Sequence, residues 1–496
     1  MALLGRDTSV RGPFPKGVLL LETLRGHEAL GRPYRFELGL LSKEPNLDPD
    51  DVLGQPLAVG IHLNTGKERF FHGIVTGFHK GGATQLHTRY AAELRPVLSL
   101  FDHTFDCRVF NDPAQDALSI VKSVLAKRGL SDVESGSIQD HVYRAREFCV
   151  QYRESDLNFV QRLLEEEGIY YFFKHEESKH TLVLADAITG HEAVDGYESI
   201  LYTVQERRVA GSEEHFWGMK VRRALYPGRH TVLSGYDPTA LRPRQPQFGR
   251  GTSEDLVTGY PFEHYDSPGG LYDPEEAQQE ARVRTQVGRV DNTVIEVEGN
   301  TMGLGLGHLV SLRPGPDGAD GEPFWSEEDF GKQYLVVGAS YRLSVDQYET
   351  GDVALSDEPF KATYQLLDSH TQFRPARVTR KPHMPGRLDR QARARDGAVR
   401  LGSAGRAQRE VVVLDTRGAG VVWGQVRRAI PAARRPGSDR GVSRRRSGPA
   451  HHHGQPVQQR RHATVRVAGQ SNPERYQEPQ QQGRHGEQLQ RAALRR

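Results

Sequence analysis

The stretch YRESDLNFVQRLLEEEGIYYFF (Tyr152–Phe173) encodes a helix, the end of that helix and a following strand. Ser155 or Asp156 can cap the first turn, because a short side-chain oxygen there accepts a backbone N–H that lacks a helical partner. Gly168 can take the left-handed conformation in which helices commonly end. The β-branched and aromatic residues 169–173 favour a strand over more helix. The stretch therefore predicts a helix followed at once by a strand.

The predicted helix covers residues 155–167. One apolar face, with spacings of three and four residues, is formed by Leu157, Val160, Leu163 and Leu164. The last turn holds Glu165–Glu167, where the helix dipole disfavours negative charge. A second β-forming run at 181–186 follows the polar loop 174–180, so we expect it to pair with 169–173 as a hairpin.

Short β-forming segments separated by Gly, Pro or Asn dominate the rest of the first 370 residues. The predicted strands are 18–22, 34–41, 57–63, 70–76, 90–98, 215–224, 230–236, 293–298, 308–312, 334–341 and 360–367. Tyr226-Pro-Gly228 is typical of a turn, and residues 237–272 are proline-rich and predicted to be loop. Many short strands with brief connections favour a barrel or sandwich over a βαβ fold.

Two further helices are predicted within this β-rich chain. The first covers residues 113–128, with Asp112 as the cap, Pro113 at the first helical position and Gly129 as the stop. Its apolar stripe is formed by Ala114, Ala117, Leu118, Val121, Val124 and Leu125. The second covers 274–287 behind Asp273.

Length and composition predict a soluble protein of several domains. The chain has 496 residues, 36% of them hydrophobic, and no apolar run of 18 residues. The N-terminus lacks the apolar core of a signal peptide, and two cysteines, Cys107 and Cys149, fit a reducing compartment. We therefore expect a protein that folds in a reducing compartment.

Charge divides the chain near Gly386. Residues 387–496 contain 24 Arg, no Lys and 8 acidic residues, which leaves 42 basic and 56 acidic residues in the first 386. The first part thus carries −14 and the tail +16. The tail has few apolar residues, so we predict that it is disordered apart from a strand at 410–414. Arginine without lysine is also typical of GC-rich coding sequence read in a shifted frame.

Motifs for catalysis or metal binding are weak throughout. Gly303–Gly307 lacks both the G-x-G-x-x-G spacing and a following helix, so it predicts a turn. His175, Glu176 and His180 miss the H-E-x-x-H zinc spacing by one residue. His451–His453 with His462 have no carboxylate nearby in sequence, and the acidic pair Asp102/Asp106 and the run Glu165–Glu167 favour a solvated face. We predict no catalytic, cofactor-binding or metal-binding residue, and no cofactor.

Ordered motifs over residues 15–386 closely resemble the VgrG family, the valine-glycine-repeat tip proteins of type VI secretion. Besides the opening stretch, they are Phe71–Gly77, Tyr90–Pro96, Cys107–Asp112, His215–Trp217, Pro227–Gly228, Tyr236–Pro238, Glu263–Tyr265, Ala281–Arg284, Tyr334–Val337, Phe373–Pro375 and Pro382–Gly386. Their order and spacing are similar to those of the family.

The resemblance implies a mainly β fold with inserted helices (α+β), built from two tube-type β-barrel domains like those of a phage baseplate hub. The domains expected are a first hub region at 1–145, a second at 146–375 with interleaved boundaries, a Pro-rich linker at 376–386 and the Arg-rich tail at 387–496. Such proteins form homotrimers on a hexameric tube protein, contact baseplate components, carry effectors or a tip cap, and meet the target membrane only as a complex. The resemblance also implies that they are assembled in the cytoplasm and then secreted by the apparatus itself.

The sequence departs from the family after Gly386, where neither the expected OB-fold segment nor a β-helix repeat follows. We therefore expect a structural hub or tip component, not an enzyme, with the tail as a disordered segment or a frame-shifted remnant of the spike. A phage tail hub is the alternative within the same fold. A second alternative is a nucleic-acid-binding protein, because the tail arginines neutralise phosphate, although the tail has almost no aromatic residues to stack on bases.

Overall fold

The computed structural model describes residues 8–138, 143, 145–146, 149–203, 214–224, 230–235, 247–252, 263–266, 274–314, 330–345, 359–383, 398–400, 411–415 and 422–423. In these ranges the chain is mostly β-strand, with three α-helices. The helices are α1 (Ala117–Lys127), α2 (Asp156–Glu167) and α3 (Pro274–Val290).

The strands are short and follow one another closely. Those before residue 190 are β1 (Thr8–Arg11), β2 (Leu20–Ala29), β3 (Arg35–Ser42), β4 (Pro56–His62), β5 (Glu68–Ala83), β6 (Thr88–Arg95), β7 (Phe105–Phe110), β8 (Val133–Ser137), β9 (Cys149–Ser155), β10 (Tyr170–His175) and β11 (His180–Ala185). Those after it are β12 (Ser199–Tyr202), β13 (His215–Arg223), β14 (His230–Gly235), β15 (Gln247–Thr252), β16 (Glu263–Asp266), β17 (Thr293–Gly299), β18 (Leu309–Pro314), β19 (Gln333–Ser344), β20 (Phe360–Asp368), β21 (Ala398–Arg400), β22 (Val411–Asp415) and β23 (Val422–Trp423).

The first six strands form one antiparallel unit in the order β1-β4-β5-β6-β3-β2. Alternate residues of each strand point to the same face of the sheet, and the residues that point inward are mostly apolar. In β6, for example, Tyr90, Ala92 and Leu94 are buried. We refer to these six strands as the N-terminal unit.

Six later strands close into a barrel. The ladder runs β19-β18-β12-β13-β17-β20, and β20 pairs with β19 again, so the ring has no free edge. The short strand β12 pairs in parallel with both of its neighbours, whereas the other ladders of the ring are antiparallel. We refer to this ring as the closed barrel.

The two β units are joined by a continuous ladder. Strand β19 of the closed barrel pairs antiparallel with β2 of the N-terminal unit, from Gly338 opposite Ala29 to Ser344 opposite Thr23. Aromatic rings continue the contact inside. Phe71 of the N-terminal unit lies edge-on to Tyr341, at 5.2 Å between ring centroids, and Tyr341 lies 6.2 Å from Tyr364 of the barrel. One hydrophobic core therefore extends through both units.

Helices and smaller sheets cover the β units. Strands β10 and β11 form a hairpin that β8 extends in parallel, and β7 and β9 form a two-stranded ribbon. Helix α2 contacts α1 and β9, while α3 contacts β14 and β15 of a three-stranded sheet. No α-helix within the described ranges is long and apolar enough to cross a membrane.

The opening stretch folds as predicted. Ser155 is the N-cap of α2 and accepts a hydrogen bond from the backbone N–H of Asn158, while Gly168 ends the helix at φ +74°. The hairpin pairs Tyr170 with Ala185. The predicted apolar face packs on the core, with Leu157 half-buried at its edge, and Phe159 is a further core residue that the predicted face did not include.

The start of the helix predicted at 113–128 was wrong. Helix α1 begins at Ala117, where Asp116 caps it by accepting from the N–H of Ser119. Asp112 instead accepts from the N–H of Ala114 within the preceding turn. The predicted stop holds, since Gly129 has φ +81°.

The region predicted as loop, 237–272, contains strands β15 and β16, which pair with β14. Sequence patterns also missed β1, β7, β8, β9 and β12, all of which are short. In the tail, the strand predicted at 410–414 is β22, and β21 and β23 pair with it. The turn at 226–228 and the cap Asp273 lie outside the described residues.

Candidate functional site: the exit segment on helix α2

Residues 373–383, which we call the exit segment, leave the β units in an extended conformation and lie along α2. Prolines at 375 and 382 exclude helix there, because they lack the backbone donor and restrict the residue before them. An extended segment cannot pair its backbone N–H and C=O groups with one another, so the exit segment is held on α2 by contacts with other parts of the chain. Most of these contacts involve the glutamate-rich C-terminal end of α2.

Arg374 binds the C-terminal end of α2. Its side chain is 1% exposed, and its Nη1 donates to the carbonyl oxygens of Gly168 at 3.0 Å and Asp186 at 2.9 Å. Its Nε donates to Gln286 of α3 at 2.8 Å. Carbonyls at the C-terminal end of a helix have no helical partner and carry the negative end of the helix dipole. A buried arginine there donates the missing hydrogen bond and balances the negative charge.

Arg377 connects α2 with α3. Its guanidinium donates to both carboxylate oxygens of Glu280, at 2.6 and 3.0 Å, and to the carbonyl oxygen of Glu166 at 2.6 Å. Burial raises the pKa of Glu280, but Arg377 and Arg284 outweigh that effect and hold the pKa below its usual value. This two-pronged geometry is the strong form of a charge-assisted pair.

Glu165–Glu167 are not a solvated face. Glu165 pairs with Arg32 at 3.0 Å and accepts from the backbone N–H and the hydroxyl of Thr379. Arg146 pairs with both Glu166 and Glu167. The prediction of a solvated run was therefore wrong, because cations from distant parts of the chain converge on it.

Glu166 stays ionised among these cations. Burial raises its pKa, but Arg146, Lys381 and Arg162 together lower the pKa to about 2. Lys381 belongs to the exit segment and lies 2.9 Å from the Glu166 carboxylate. Further along, Asn158 near the start of α2 donates to the carbonyl oxygen of Arg380 at 3.1 Å. The exit segment thus contacts α2 from its C-terminal end to its first turn.

The first turn of α2 is held by a buried carboxylate. Asp156 is 0% exposed and accepts from Gln151 at 2.8 Å, Thr104 at 2.9 Å, Arg128 and Arg108. Burial raises the pKa of Asp156, but these donors lower it overall. Both ends of α2 are therefore fixed by ionic contacts, and the helix is a rigid base for the exit segment.

The histidines considered for a metal site lie in a buried cluster with a different arrangement. His180 Nδ1 lies 2.9 Å from His72 Nδ1, and His175 Nε2 lies 3.1 Å from Glu28 Oε1. Glu176 takes no part in these contacts, and its backbone pairs with Lys179 in the hairpin loop. Within the described ranges, no three His, Cys, Asp or Glu side chains are grouped as they would be around a cation.

Gly303–Gly307 is a turn between β17 and β18, as predicted. Arg69 of the N-terminal unit donates to the carbonyl oxygens of Met302 and Leu304 at 2.7 Å, so the turn anchors one β unit to the other. His451–His453 and His462 lie outside the described residues.

Asp102 and Asp106 have separate partners. Asp102 accepts from the hydroxyl of Ser155 at 2.8 Å, and Asp106 pairs with Lys127 and Arg108 at 3.3 Å. They do not form a pair of facing carboxylates that could act as acid and base.

Sequence patterns missed Arg374 and Arg377 as anchors of the exit segment. The signal available in the sequence was two arginines in a proline-rich segment, together with the glutamate run at the end of α2.

Comparison with known proteins identifies the family. A sequence model of the family described as phage tail baseplate hub (GPD) matches residues 27–348. The chain belongs to this family. This chain is 35% identical over 391 residues to the type VI secretion system spike protein VgrG1b of Pseudomonas aeruginosa. The match covers 78% of this chain and 50% of that protein. It is 35% identical over 387 residues to VgrG1a of the same organism, with coverage of 76% and 57%.

The chain thus spans about half the length of these curated relatives. Among solved structures, it is similar to the E. coli c3393 protein with a TM-score of 0.55, 19% identity and coverage of 84% of this chain and 93% of that one. That protein is described as a type VI secretion component structurally similar to the T4 bacteriophage tail proteins gp27 and gp5. The resemblance to the VgrG family and the mainly β, hub-like fold class are confirmed.

Proposed function

We propose that the chain is a structural hub subunit of a contractile injection apparatus of the type VI secretion kind, and that it works by surface complementarity without catalysis. Three copies assemble on the end of a hexameric tube, contact baseplate components and carry effectors or a tip cap. Assembly takes place in the cytoplasm and the apparatus then secretes the complex. Family membership and the two spike-protein relatives support the proposal.

One observation carries the proposal, namely the presence of two six-strand β units in one chain, joined by the β2–β19 ladder. Three such chains place six β units in a ring, which matches a tube of six identical subunits. Because the ladder fixes the two units to each other, every copy presents the same pair to the tube. The proposed domains are 1–145 and 146–375, with interleaved boundaries.

The exit segment supports a mechanical role. In the proposed assembly, the linker 376–386 connects the hub to whatever follows it, so force on that part passes through residues 373–383. The buried bonds of Arg374 and Arg377 anchor this segment to α2 and α3. A pulling force on the linker is therefore transmitted to the two helices α2 and α3.

The experiment that tests this function is electron microscopy of the purified chain mixed with the hexameric tube protein of a type VI secretion apparatus. We expect ring-shaped particles at tube ends, with six lobes of two alternating kinds. Tubes alone and the chain alone serve as controls. Bare tube ends together with free monomers in the mixture would contradict the proposal.

A second candidate function is the hub of a phage or phage-derived particle, which the description of the matching family as phage tail baseplate hub favours. Both candidates use the same fold. The neighbouring genes distinguish them, because sheath and tube genes without capsid genes indicate a secretion apparatus, whereas capsid genes indicate a particle.

A further inference from the structure

A surface groove of about 540 Å³ lies between the β7–β9 ribbon and the end of the exit segment. It extends from Phe105 and Tyr152 across the start of α2 to Pro382 and His383. Phe105 is 68% exposed, the highest value among the large hydrophobic side chains of the described ranges. The groove thus offers an aromatic surface that none of the described residues covers.

Arg153 lies at this groove in an unusual backbone conformation. It is the single non-glycine residue of the described chain with positive φ, at +49°. In the ladder between β7 and β9, Asp106 is opposite Glu154 and Cys107 is opposite Tyr152. Arg153 therefore has no opposite residue and is the extra residue of a β-bulge. Bulges redirect a side chain, and backbone strain of this kind concentrates at functional sites.

The charge left available in the groove is positive. Its two carboxylates already have partners, since Asp102 accepts from Ser155 and Glu154 pairs with Arg162 at 2.7 Å. Arg153, the Arg380 side chain and His383 make no ion pair with any described residue. A cationic and aromatic groove of this kind is complementary to an acidic segment that carries an exposed apolar side chain.

The chain itself has such a segment at residues 44–53. Glu44, Asp48, Asp50 and Asp51 are exposed and make no ion pair within the described ranges, and Leu53 is 41% exposed. A 3-10 turn at Pro49–Asp51, capped by the Asp48 side chain, gives the segment a fixed shape. We call it the acidic loop.

We propose that the acidic loop of one copy docks in this groove of the next copy, with Leu53 against Phe105 and the loop carboxylates beside Arg153 and Arg380. The contact joins different surfaces, so it is head-to-tail. Such contacts close into a ring when the rotation between copies allows it, and we assign this one to the ring of three. This inference rests on the proposed trimeric hub and assigns the surfaces that hold the trimer together. Since exposed ion pairs form part of the contact, the trimer weakens at high salt.

The test uses charge reversal in the full chain, with mass measured by sedimentation over a concentration series. R153E/R380E reverses the groove and D50R/D51R reverses the loop. Each double variant should weaken the trimer by about tenfold or more, because like charges then face each other across the contact. K16E/R25E reverses two exposed cations elsewhere and should leave the trimer unchanged.

The quadruple variant, with both surfaces reversed in the same chain, should form the trimer again. Mixing the two double variants should not restore it. Favourable contacts in the mixture require the two kinds of subunit to alternate, and a ring of three cannot alternate two kinds. Restoration in the quadruple variant without restoration in the mixture therefore indicates a head-to-tail ring with an odd number of copies, and the measured mass gives that number as three.

The outcomes separate this inference from the function on which it rests. A wild-type trimer that R153E/R380E and D50R/D51R leave unchanged overturns the docking surface but keeps the hub proposal. A wild-type chain that stays monomeric at its highest soluble concentration overturns both. Circular dichroism of each variant establishes that a loss of trimer is not a loss of folding.

Discussion

Arg374 Nη1 donates a hydrogen bond to the carbonyl oxygen of Gly168 at 3.0 Å, although 206 positions separate the two residues in the chain. The glycine ends α2 with φ +74°, and this turn exposes the last carbonyls of the helix to the guanidinium. The absence of a side chain at 168 also leaves the room that the arginine occupies. The helix end and the exit segment therefore depend on each other.

Replacing Arg374 should destabilise the whole hub region. R374A removes the arginine donor of the buried Gly168 carbonyl and one of the two donors of the Asp186 carbonyl, which keeps Gln372, and it leaves a cavity. We therefore expect the free energy of unfolding to fall by about 2–5 kcal/mol. R374K keeps the positive charge but not the planar arrangement of donors, so its free energy of unfolding should lie between those of R374A and the unchanged chain. Urea unfolding measures this. The exposed Arg25 provides the control, since R25A should change stability by less than about 0.5 kcal/mol. Equal effects of R374A and R25A would show that the exit segment is not anchored as described.

Two glycines separate backbone strain from packing. A Cβ at Gly168 would lie 2.8 Å from Val283 Cγ1 and 3.0 Å from Arg374 Cδ, whereas a Cβ at Gly129 would meet nothing within 4 Å. Both have positive φ, so both alanine variants carry the left-handed strain of about 1 kcal/mol. We expect G129A to lose only that amount and G168A about 3 kcal/mol. Thermal unfolding of the pair checks this, and similar losses would exclude close packing at 168.

Truncation tests which residues the hub region needs. A chain that ends at Gly386 keeps the whole exit segment and should unfold cooperatively, with the stability of the full chain. A chain that ends at Gln372 lacks Arg374 and Arg377 and should be less stable by several kcal/mol, because the buried Gly168 carbonyl loses its arginine donor and Glu280 keeps only Arg284 as an ionic partner. Guanidinium unfolding of both proteins decides the point. Loss of cooperativity in the longer one would mean that the hub region does not fold without the tail.

The buried histidine pair predicts a dependence of stability on pH. The backbone N–H of Val97 donates to His180 Nε2 at 3.0 Å, so the His180 proton sits on Nδ1 and is donated to His72 Nδ1. Burial and the neighbouring His175 lower the pKa of His72 to about 4, and burial with His72 lowers the pKa of His180 to about 3. Neither ring can take a proton without breaking this arrangement.

The unfolded chain binds these protons below pH 6.5, whereas the folded chain does not until about pH 4 and 3. Stability is therefore fully present above pH 6.5 and falls as pH drops toward 4, by about 1.4 kcal/mol per pH unit for each histidine. H180Q should reduce this slope, while the exposed His79 in H79Q should not change it. Urea unfolding between pH 7 and pH 4 measures the slopes, and equal slopes in the two variants would contradict the account.

Local signals explain what could be predicted from sequence. Ser155 and Gly168 act within their own turn of helix, so both ends of α2 were predicted correctly. At α1 two aspartates compete, and the proline after Asp112 suggested the wrong one because Asp116 lacks such a neighbour. Patterns of this kind do not reveal which side chain a distant segment will cover, and this is why Phe159 was not among the predicted apolar positions of α2 although it is buried.

Long-range contacts explain what was missed. The glutamates at the end of α2 looked unfavourable for a helix, but Arg32, Arg146 and Lys381 come from three separate parts of the chain to neutralise them. The parallel insertion of β12 between β18 and β13 likewise leaves no trace in a strand of four residues. Motif resemblance, and not periodicity, supplied the prediction of two barrels.

The central claim, a hub subunit that assembles as a trimer, is tested most directly by light scattering coupled to size exclusion on the purified full chain. The account predicts a single species with three times the chain mass of 55.6 kDa. A species of 55.6 kDa that persists at the highest soluble concentration, with or without the tube protein, would contradict it.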